Sequence, residues 1–276
     1  MNRIFGLDFT SAPRPGKPIT CARCTLHNSW LIVEDCLPLT SFQEFESFLQ
    51  QPGPWIVACD FPFGQPCKLL RGLGWPLTWT DYVHLVASMD KNAFEETLTR
   101  YQASRPAGDK QHMRVTDQVA RSRSPMMLHR VPVAKMFFAG APRLLASGVS
   151  VLPCRPLPDN RIVVEGYPAL VARRWLGKRG YKSDERKKQS ADQLAARRTL
   201  LETIRSNELD AAYGLKLSIP DEMAEHIVQE PMGDRLDAIL CAIQAAWSYT
   251  QCQNGYGIPP GHEIEGWIVD SVCMLE

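Results

Sequence analysis

Long apolar runs are missing from this 276-residue chain, since none approaches the roughly 18 residues that a membrane-spanning helix needs. We therefore expect no membrane partner. Repeats and low-complexity segments are missing too, which excludes repeat architectures. The N-terminus lacks a signal-peptide pattern, so we expect a cytoplasmic protein.

The composition, 45% hydrophobic and 22% charged, is ordinary for a globular protein, and the length suits one large domain or a domain with an insertion.

A second CxxC motif is also missing, which weakens the case for a zinc site at Cys21 and Cys24. That segment has the pattern of a strand, which would direct the two thiols to opposite faces. The cysteine count is odd, and several cysteines lie within apolar runs: Cys36, Cys59, Cys241 and Cys273. We therefore interpret the nine cysteines mainly as buried, reduced thiols.

Charge of one sign does not dominate, because the net charge is +1, but positive charge is concentrated in two segments. Residues 105–146 carry a net charge of +6 and residues 173–198 a net charge of +7, which leaves −12 for the rest of the chain. An acidic body with two basic segments favours a polyanion held against an acidic centre. Two solvated helical faces that happen to be basic are the alternative.

The apolar pattern of the first sixty residues predicts three strands, a helix and a fourth strand. A turn at His27 and Asn28 joins the second and third strands, and Thr40 and Ser41 precede the helix. The fourth strand is apolar throughout, as expected of a central strand covered on both faces. The strands are expected at residues 3–9, 18–26, 29–36 and 55–59. Three antiparallel strands, a crossover helix and a fourth strand form the opening of a ribonuclease H-like fold.

Residues 61–150 are predicted to be an insertion that is mainly helical and basic. Helical patterns occur around residues 80–89 and 91–103, and a polar basic loop follows over residues 104–125. A further helix carries Val133 to Leu144, with Pro142 kinking or breaking it.

The last part of the chain returns to strands and helices. The expected elements are a strand at 161–164, a helix at 168–175, a charged helix at 184–206 with Ser183 as N-cap, a long helix at 234–250 and a short closing strand at 267–269. We therefore predict a single α/β domain over residues 1–276, with a ribonuclease H-like mixed sheet, flanking helices and the inserted helical segment.

Acidic residues follow the apolar segments at several points. Asp8 ends the first strand, Asp60 the fourth and Glu165 a later one, while Asp234 and Asp237 are three apart and share a helix face. A carboxylate at the end of a buried strand is costly to desolvate unless it is paired or binds a cation. Oxygen ligands suit Mg²⁺ or Mn²⁺, and two such ions can clamp a phosphoryl group. We predict a metal site formed by Asp8, Asp60 and at least one of the helix pair.

Each of these acids also has a structural interpretation that the sequence leaves open. The alternatives are a turn at Asp8 with Thr10 or Ser11, a cap or turn at Asp60 before Pro62, an N-cap at Gly233-Asp234 with dipole compensation by Asp237, and an ion pair from Glu165 to Arg173 or Arg174.

Six short segments carry a resemblance to a known family: GLDFTSAP (6–13), DFPFG (60–64), LHRVPVAKMFFAGAPRLL (128–145), VEGYPALVARRW (164–175), GDRLDAILCAIQAAW (233–247) and EGWIVD (265–270). Across essentially its whole length the chain resembles the family catalogued as domain of unknown function 429, regarded as predicted nucleases of ribonuclease H-like fold. The resemblance implies Asp8, Asp60 and Asp234 or Asp237 as metal ligands, with Glu165 as a further site residue. The acids on the last helix also resemble those of Holliday-junction resolvases.

One departure from the compact ribonuclease H pattern concerns the middle of the chain. Roughly 100 residues separate the fourth strand from Glu165, whereas compact ribonuclease H domains have only a helix there. We therefore expect a capped site or an unusual substrate.

Several basic residues are candidates for substrate binding. His129 is a possible general acid or base, with a structural histidine as the alternative. Arg130 and Lys135 are candidates for holding phosphates. Contacts to a nucleic-acid backbone are expected from Lys182, Arg186 and Lys187.

The sequence favours a Mg²⁺- or Mn²⁺-dependent phosphodiesterase that acts on nucleic acid, DNA or RNA. A phosphotransferase of the sugar-kinase and actin-like superfamily is one alternative, although no glycine-rich phosphate loop follows the middle of the chain. A non-catalytic nucleic-acid-binding protein of the same fold is the other.

Overall fold

A computed structural model describes residues 2–274 of the chain. Strands of one mixed sheet form its centre. They are β1 (Asn2–Asp8), β2 (Ile19–His27), β3 (Trp30–Leu39), β4 (Trp55–Cys59), β5 (Ser150–Val151), β6 (Arg161–Glu165) and β7 (Lys216–Ser218). The seven strands lie in the order β5-β6-β4-β1-β2-β3-β7.

The direction of these strands matches the expected fold class. β1 and β2 are antiparallel, as are β2 and β3, whereas β4 runs parallel to β1 and β6 parallel to β4. The protein therefore has a mixed α/β fold with flanking helices, and its strand order is consistent with a ribonuclease H-like fold.

Helices cover both faces of the sheet. Those between β3 and β5 are α1 (Phe42–Leu49), α2 (Cys67–Leu73), α3 (Trp79–Ala87), α4 (Lys91–Ala103), α5 (Val115–Val119) and α6 (Val133–Ser147). Those after β6 are α7 (Pro168–Leu176), α8 (Ala191–Ile204), α9 (Asn207–Tyr213), α10 (Asp221–Gln229) and α11 (Asp234–Thr250). No helix in residues 2–274 is long and apolar enough to cross a membrane.

The sheet separates two hydrophobic cores because side chains alternate along each strand. Ile4 faces the core formed with α7, α8, α10 and α11, whereas Phe5 faces the core formed with α1, α3, α4 and α6. Cys24 lies in the first core and Cys21 in the second, so the two thiols of the CxxC motif point to opposite faces. The helices between β4 and β5 therefore complete one of the two cores.

Gly6 allows α11 to pack directly on the centre of the sheet. A Cβ at this position would lie 2.0 Å from the carbonyl oxygen of Ala238 and 2.2 Å from the nitrogen of Ala242. This close approach holds the first turn of α11 beside the end of β1, where Asp8 is.

Three expectations about secondary structure were wrong, and of the kink or break expected at Pro142 the break does not occur. α6 runs through Pro142 without a break, because buried side chains on both sides of the proline, Phe137 and Leu144, belong to the same core. The helix expected at 184–206 begins only at Ala191. Its N-cap is Ser190 rather than Ser183, because Ser190 and Gln193 form a reciprocal capping box.

The other two concern segments that long-range contacts shape. The expected polar loop at 104–125 contains α5 and the buried side chain of Arg114, which is held by Asp117 in the same segment and by Glu165 on β6. The expected closing strand at 267–269 is reduced to one isolated parallel bridge between Glu165 and Ile268.

Candidate carboxylate centre

Asp8 and Asp60 lie side by side at the edge of the sheet that is formed by the carboxyl ends of the two central strands β1 and β4. β1 and β4 are parallel neighbours in which Leu7 is paired with Cys59, and each aspartate is the next residue. The backbone nitrogen of Asp60 donates a hydrogen bond to the carbonyl oxygen of Leu7 at 2.9 Å. The strand pairing therefore brings together two carboxylates that are 52 residues apart in sequence.

Asp234 and Asp237 approach the same edge from the first turn of α11, and both are buried. The N-cap of α11 is Gly233, at φ +73°, and it makes no side-chain capping bond. The N-cap expected at Gly233 and Asp234 is therefore Gly233, and Asp234 and Asp237 both lie in the first turn, without a side-chain cap from Asp234. The Asp234 side chain is left for other contacts.

Tyr181 and Lys182 bind both oxygens of Asp237. The Tyr181 hydroxyl donates to Oδ1 at 2.5 Å, and the Lys182 ammonium donates to Oδ2. Gly233 makes room for the lysine, since a Cβ there would lie 3.0 Å from Lys182 Cβ. The Lys182 side chain remains 38% exposed, so this cation lies at the mouth of the acidic cluster and is reachable from solvent.

The pKa values show how closely the acids are grouped. Asp8 and Asp60 reach solvent in part, but protein atoms surround their carboxyl groups, and this burial raises the pKa of Asp8 well above its usual range. Asp237, Asp234 and Asp60 raise that pKa further, while Lys182 opposes them.

The pKa of Asp60 is raised to about 7, first by burial and then by the charge of Asp237. Burial also raises the pKa of Asp234, against the attraction of Lys182. The charges of the centre do not balance, because four carboxylates lie around the ammonium group of Lys182. When all four are ionised, the centre carries three uncompensated negative charges.

Glu165 lies beside this cluster but is engaged by other residues. Its two oxygens accept hydrogen bonds from Arg114 at 2.6 and 2.8 Å, and the backbone nitrogen of Phe63 donates to one of them at 2.9 Å. Arg114 also holds the buried Asp117 through two bonds of 2.8 and 2.9 Å. Burial raises the pKa of Glu165, and Arg114 opposes this shift.

The ion pair suggested for Glu165 with Arg173 or Arg174 does not form. Arg173 donates instead to backbone carbonyls of Ala120 and Arg121, and Arg174 donates to Ser271. The actual partner, Arg114, belongs to the segment between β4 and β5 and is 51 residues away from Glu165. Local sequence spacing gives no signal for such a pair.

The basic candidates are spread over several places. His129 and Arg130 are exposed in the segment before α6, and Arg130 has φ +65°. Lys135 pairs with Glu95 at 3.1 Å, while Arg186 and Lys187 are exposed in a short 3-10 turn. Of the six basic candidates in the described residues, Lys182 alone contacts an acid of the centre.

A cavity of about 310 Å³ adjoins the carboxylates. Asp60, Asp237 and Lys182 are among the residues that line it. Apolar wall comes from three segments: Phe61 and Pro62 after β4; Tyr167, Pro168 and Ala169 after β6; and Val131, Val133 and Met136 around the start of α6. The ion-paired side chains of Arg114, Asp117 and Glu165 also line the cavity.

Comparison with known proteins places the chain in a family. Residues 20–262 match the family model described as a protein of unknown function, DUF429. The chain belongs to the DUF429 family. No curated protein and no solved structure matches it. The match confirms the family resemblance seen in the sequence and assigns no activity to this DUF429 protein.

The fit of the centre to a metal ion depends on two observations. Within residues 2–274, no group of three or more His, Cys, Asp or Glu side chains is arranged so that it could hold a metal ion. The donor chemistry does fit, because carboxylate oxygens are the ligands that Mg²⁺ and Mn²⁺ prefer and the excess negative charge attracts a cation. A metal ion would have to share or replace the position that the Lys182 ammonium takes beside Asp237.

Three residues of the site were not singled out from the sequence: Tyr181, Arg114 and Asp117. Tyr181 directly precedes the candidate Lys182. This position would point to Tyr181 as a site residue only if Lys182 were already known to be in the site. Arg114 and Asp117 have the i, i+3 spacing of a helical ion pair, but this spacing does not indicate that Glu165 joins them.

Proposed function

We propose that this DUF429 protein is a divalent-metal-dependent phosphodiesterase that hydrolyses nucleic acid. The carrying observation is the convergence of Asp8, Asp60, Asp234 and Asp237, from β1, the residue after β4 and α11, around the Lys182 ammonium group, with Lys17 as a weaker attraction on Asp234. Such an excess of carboxylate at a sheet edge is costly unless a cation binds there.

In this proposal the four aspartates would hold Mg²⁺ or Mn²⁺. The bound ion would supply a nucleophilic water at neutral pH and stabilise the charge on the leaving oxygen. Lys182, as the cation beside Asp237, would attract the phosphate backbone toward the centre. Glu165 would act as a positioning residue, since its bond to the Phe63 nitrogen orders the chain just after Asp60.

Nucleic acid is the proposed substrate because positive charge is concentrated in two segments, residues 105–146 and 173–198, and each of them contributes residues to the cavity beside the centre. Arg123 lines the cavity itself. Arg130, Arg186 and Lys187 are exposed on the two basic segments. Nine free cysteines suit a reducing compartment, so we propose that the protein acts in the cytoplasm.

The test is a cleavage assay with Mn²⁺ and labelled single-stranded, duplex, branched and hybrid substrates. We expect Asp8→Asn and Asp237→Asn to abolish metal-dependent cleavage. Asp192→Asn, an exposed aspartate in the first turn of α8, is the matched control and should retain it. Cleavage that persists in Asp8→Asn, or that needs no metal, would contradict the proposal.

A non-catalytic nucleic-acid-binding protein is the second candidate, and one observation favours it. The Lys182 ammonium already neutralises part of the acidic cluster by its bond to Asp237. Tight, salt-sensitive binding without turnover in any metal would support this candidate over the first.

A further inference from the structure

We infer that the cavity beside the carboxylates receives one unpaired nucleotide with its base against the apolar wall, so that the substrate is single-stranded or locally opened where it is cut. This inference rests on the proposed function, because it deepens the choice of substrate at the same site.

The position of the cavity gives the first argument. Its lining includes Asp60 and Asp237 with Lys182, and a phosphodiester would react beside these residues. The groups attached to a phosphate in nucleic acid are a sugar and its base, so they must occupy the space next to these residues. In this protein the adjacent space is the apolar part of the cavity.

The size and chemistry of the wall give the second argument. A volume of about 310 Å³ lies at the lower end of the range for small-ligand pockets, which suits one nucleotide better than two paired strands. A duplex presents its charged backbone outward, which an apolar wall disfavours. An extruded base has two apolar faces, and enzymes that extrude a base hold it between aromatic and apolar side chains.

Tyr167 is the aromatic group best placed to contact such a base. Its backbone nitrogen donates to Gln244 Oε1 at 2.7 Å, and the Arg173 guanidinium lies 5.2 Å from the centre of its ring. The hydrogen bond fixes the backbone of Tyr167 and the guanidinium contacts its ring, so part of the entropy cost of ordering this side chain is met before a ligand binds. Arg123 and Ser122 add polar groups to the same cavity.

The segment between β4 and β5 makes the cavity narrow. Val131, Val133 and Met136 from this segment form one side, and Val131 is 50% exposed at the rim. Compact ribonuclease H domains have only a helix at this point of the chain. The additional segment therefore turns an edge of the sheet into a pocket for a single nucleotide.

The test is a binding cycle measured by fluorescence anisotropy with Ca²⁺ in place of Mg²⁺ or Mn²⁺, because the uncompensated negative charge of a metal-free centre would repel the phosphate backbone. The probes are a labelled single-stranded oligothymidylate, the same strand with abasic nucleotides, and a blunt duplex of equal length. Loss of one stacked base corresponds to roughly 5- to 150-fold in affinity. We expect the single strand to bind at least about tenfold more tightly than the duplex, and Tyr167→Ala to weaken it by about tenfold while leaving the abasic strand unchanged.

Two further variants keep this test decisive. Val131→Asp changes a half-exposed side chain, so the fold should persist while base-bearing strands bind more weakly. Trp30→Ala removes an exposed aromatic ring on β3, away from the cavity lining, and should leave the affinities unchanged. Equal binding of single strand and duplex, or an equal loss for base-bearing and abasic strands in Tyr167→Ala, would overturn the inference.

The outcome can be separated from that of the proposed function. If single strands bind through the base but Mn²⁺ never leads to cleavage, the pocket stands and the phosphodiesterase proposal fails. If Mn²⁺-dependent cleavage occurs but duplex and single strand bind equally, the activity stands and the pocket inference fails.

Discussion

Lys182 donates a hydrogen bond to Oδ2 of Asp237, a buried carboxylate 55 residues further along the chain. The neighbouring Tyr181 occupies the other oxygen of the same carboxylate. An ammonium group thus lies where a metal ion would meet α11, and the remaining carboxylates come from β1, β4 and α11. The competition between this lysine and a divalent ion leads to the first prediction.

Removing the lysine charge should strengthen metal binding. In Lys182→Met, the ion no longer competes with an ammonium for Asp237, and we expect at least about a tenfold gain in Mn²⁺ affinity, or about 1.4 kcal/mol. Calorimetric titration measures the change. Lys187→Met, an exposed lysine of the same segment, is the control and should bind as the wild type does. A weaker affinity in Lys182→Met would mean that the lysine positions Asp237 for the metal.

The raised pKa of Asp60 should make the metal-free protein less stable as pH rises. The folded protein holds a proton on Asp60 up to about pH 7, whereas the unfolded chain loses it near 3.8. Between these values the folded state binds more protons, so the free energy of unfolding falls with increasing pH. Asp60→Asn removes this cost and should stabilise the protein more at pH 8 than at pH 5, by on the order of 2 kcal/mol.

Urea unfolding at the two pH values, with EDTA present, measures this difference. Asp192→Asn is the control, since its side chain is exposed and should give the same small change at both pH values. An Asp60→Asn variant that is less stable than the wild type at pH 8 would show that the ionised carboxylate is stabilising in the folded state.

Arg114 should be required for stability rather than for metal binding. Arg114→Met would leave Glu165 and Asp117 buried without their cation, at a cost of about 3–5 kcal/mol. Arg198→Met, which breaks an exposed ion pair with Glu225, should cost less than about 1 kcal/mol. Denaturant unfolding measures both. Equal effects of the two substitutions would contradict the structural role of the buried network.

Gly6 should tolerate no side chain, because α11 lies directly against it. A Cβ at this position would meet backbone atoms of α11 at 2.0–2.2 Å, so Gly6→Ala must displace the helix that carries Asp234 and Asp237. We expect the free energy of unfolding to fall by about 1–3 kcal/mol and Mn²⁺ to bind more weakly. Gly16→Ala, where a Cβ meets nothing within 4 Å, is the control for unfolding and binding. A neutral Gly6→Ala would contradict the close contact.

The sequence predicts the centre of the fold well, because strands and amphipathic helices leave periodic signals. The strand pattern around Asp8 and Asp60 indicates two segments that pair in the sheet, and α11 occupies residues 234–250 as expected. The fold class follows from the order of these elements. What each acid does in the site stays a prediction.

The parts that were not predictable depend on contacts between distant segments. The partner of Glu165 is Arg114, which is supplied by the segment between β4 and β5, and nothing in the local pattern distinguishes it from Arg173 or Arg174. The pairing of Lys182 with Asp237 likewise depends on where the coil before α8 passes over Gly233. Pro142 gave a misleading local signal, since packing of both halves of α6 prevails over the missing hydrogen bond.

Titration of the wild type with Mn²⁺ by calorimetry at pH 8, beside the double variant Asp8→Asn with Asp60→Asn, tests the carboxylate centre most directly. We expect saturable binding in the wild type and in the Asp192→Asn control, and none in the double variant. Retention of the same binding in the double variant, or its absence from both the wild type and Lys182→Met, would contradict a metal site at these four aspartates.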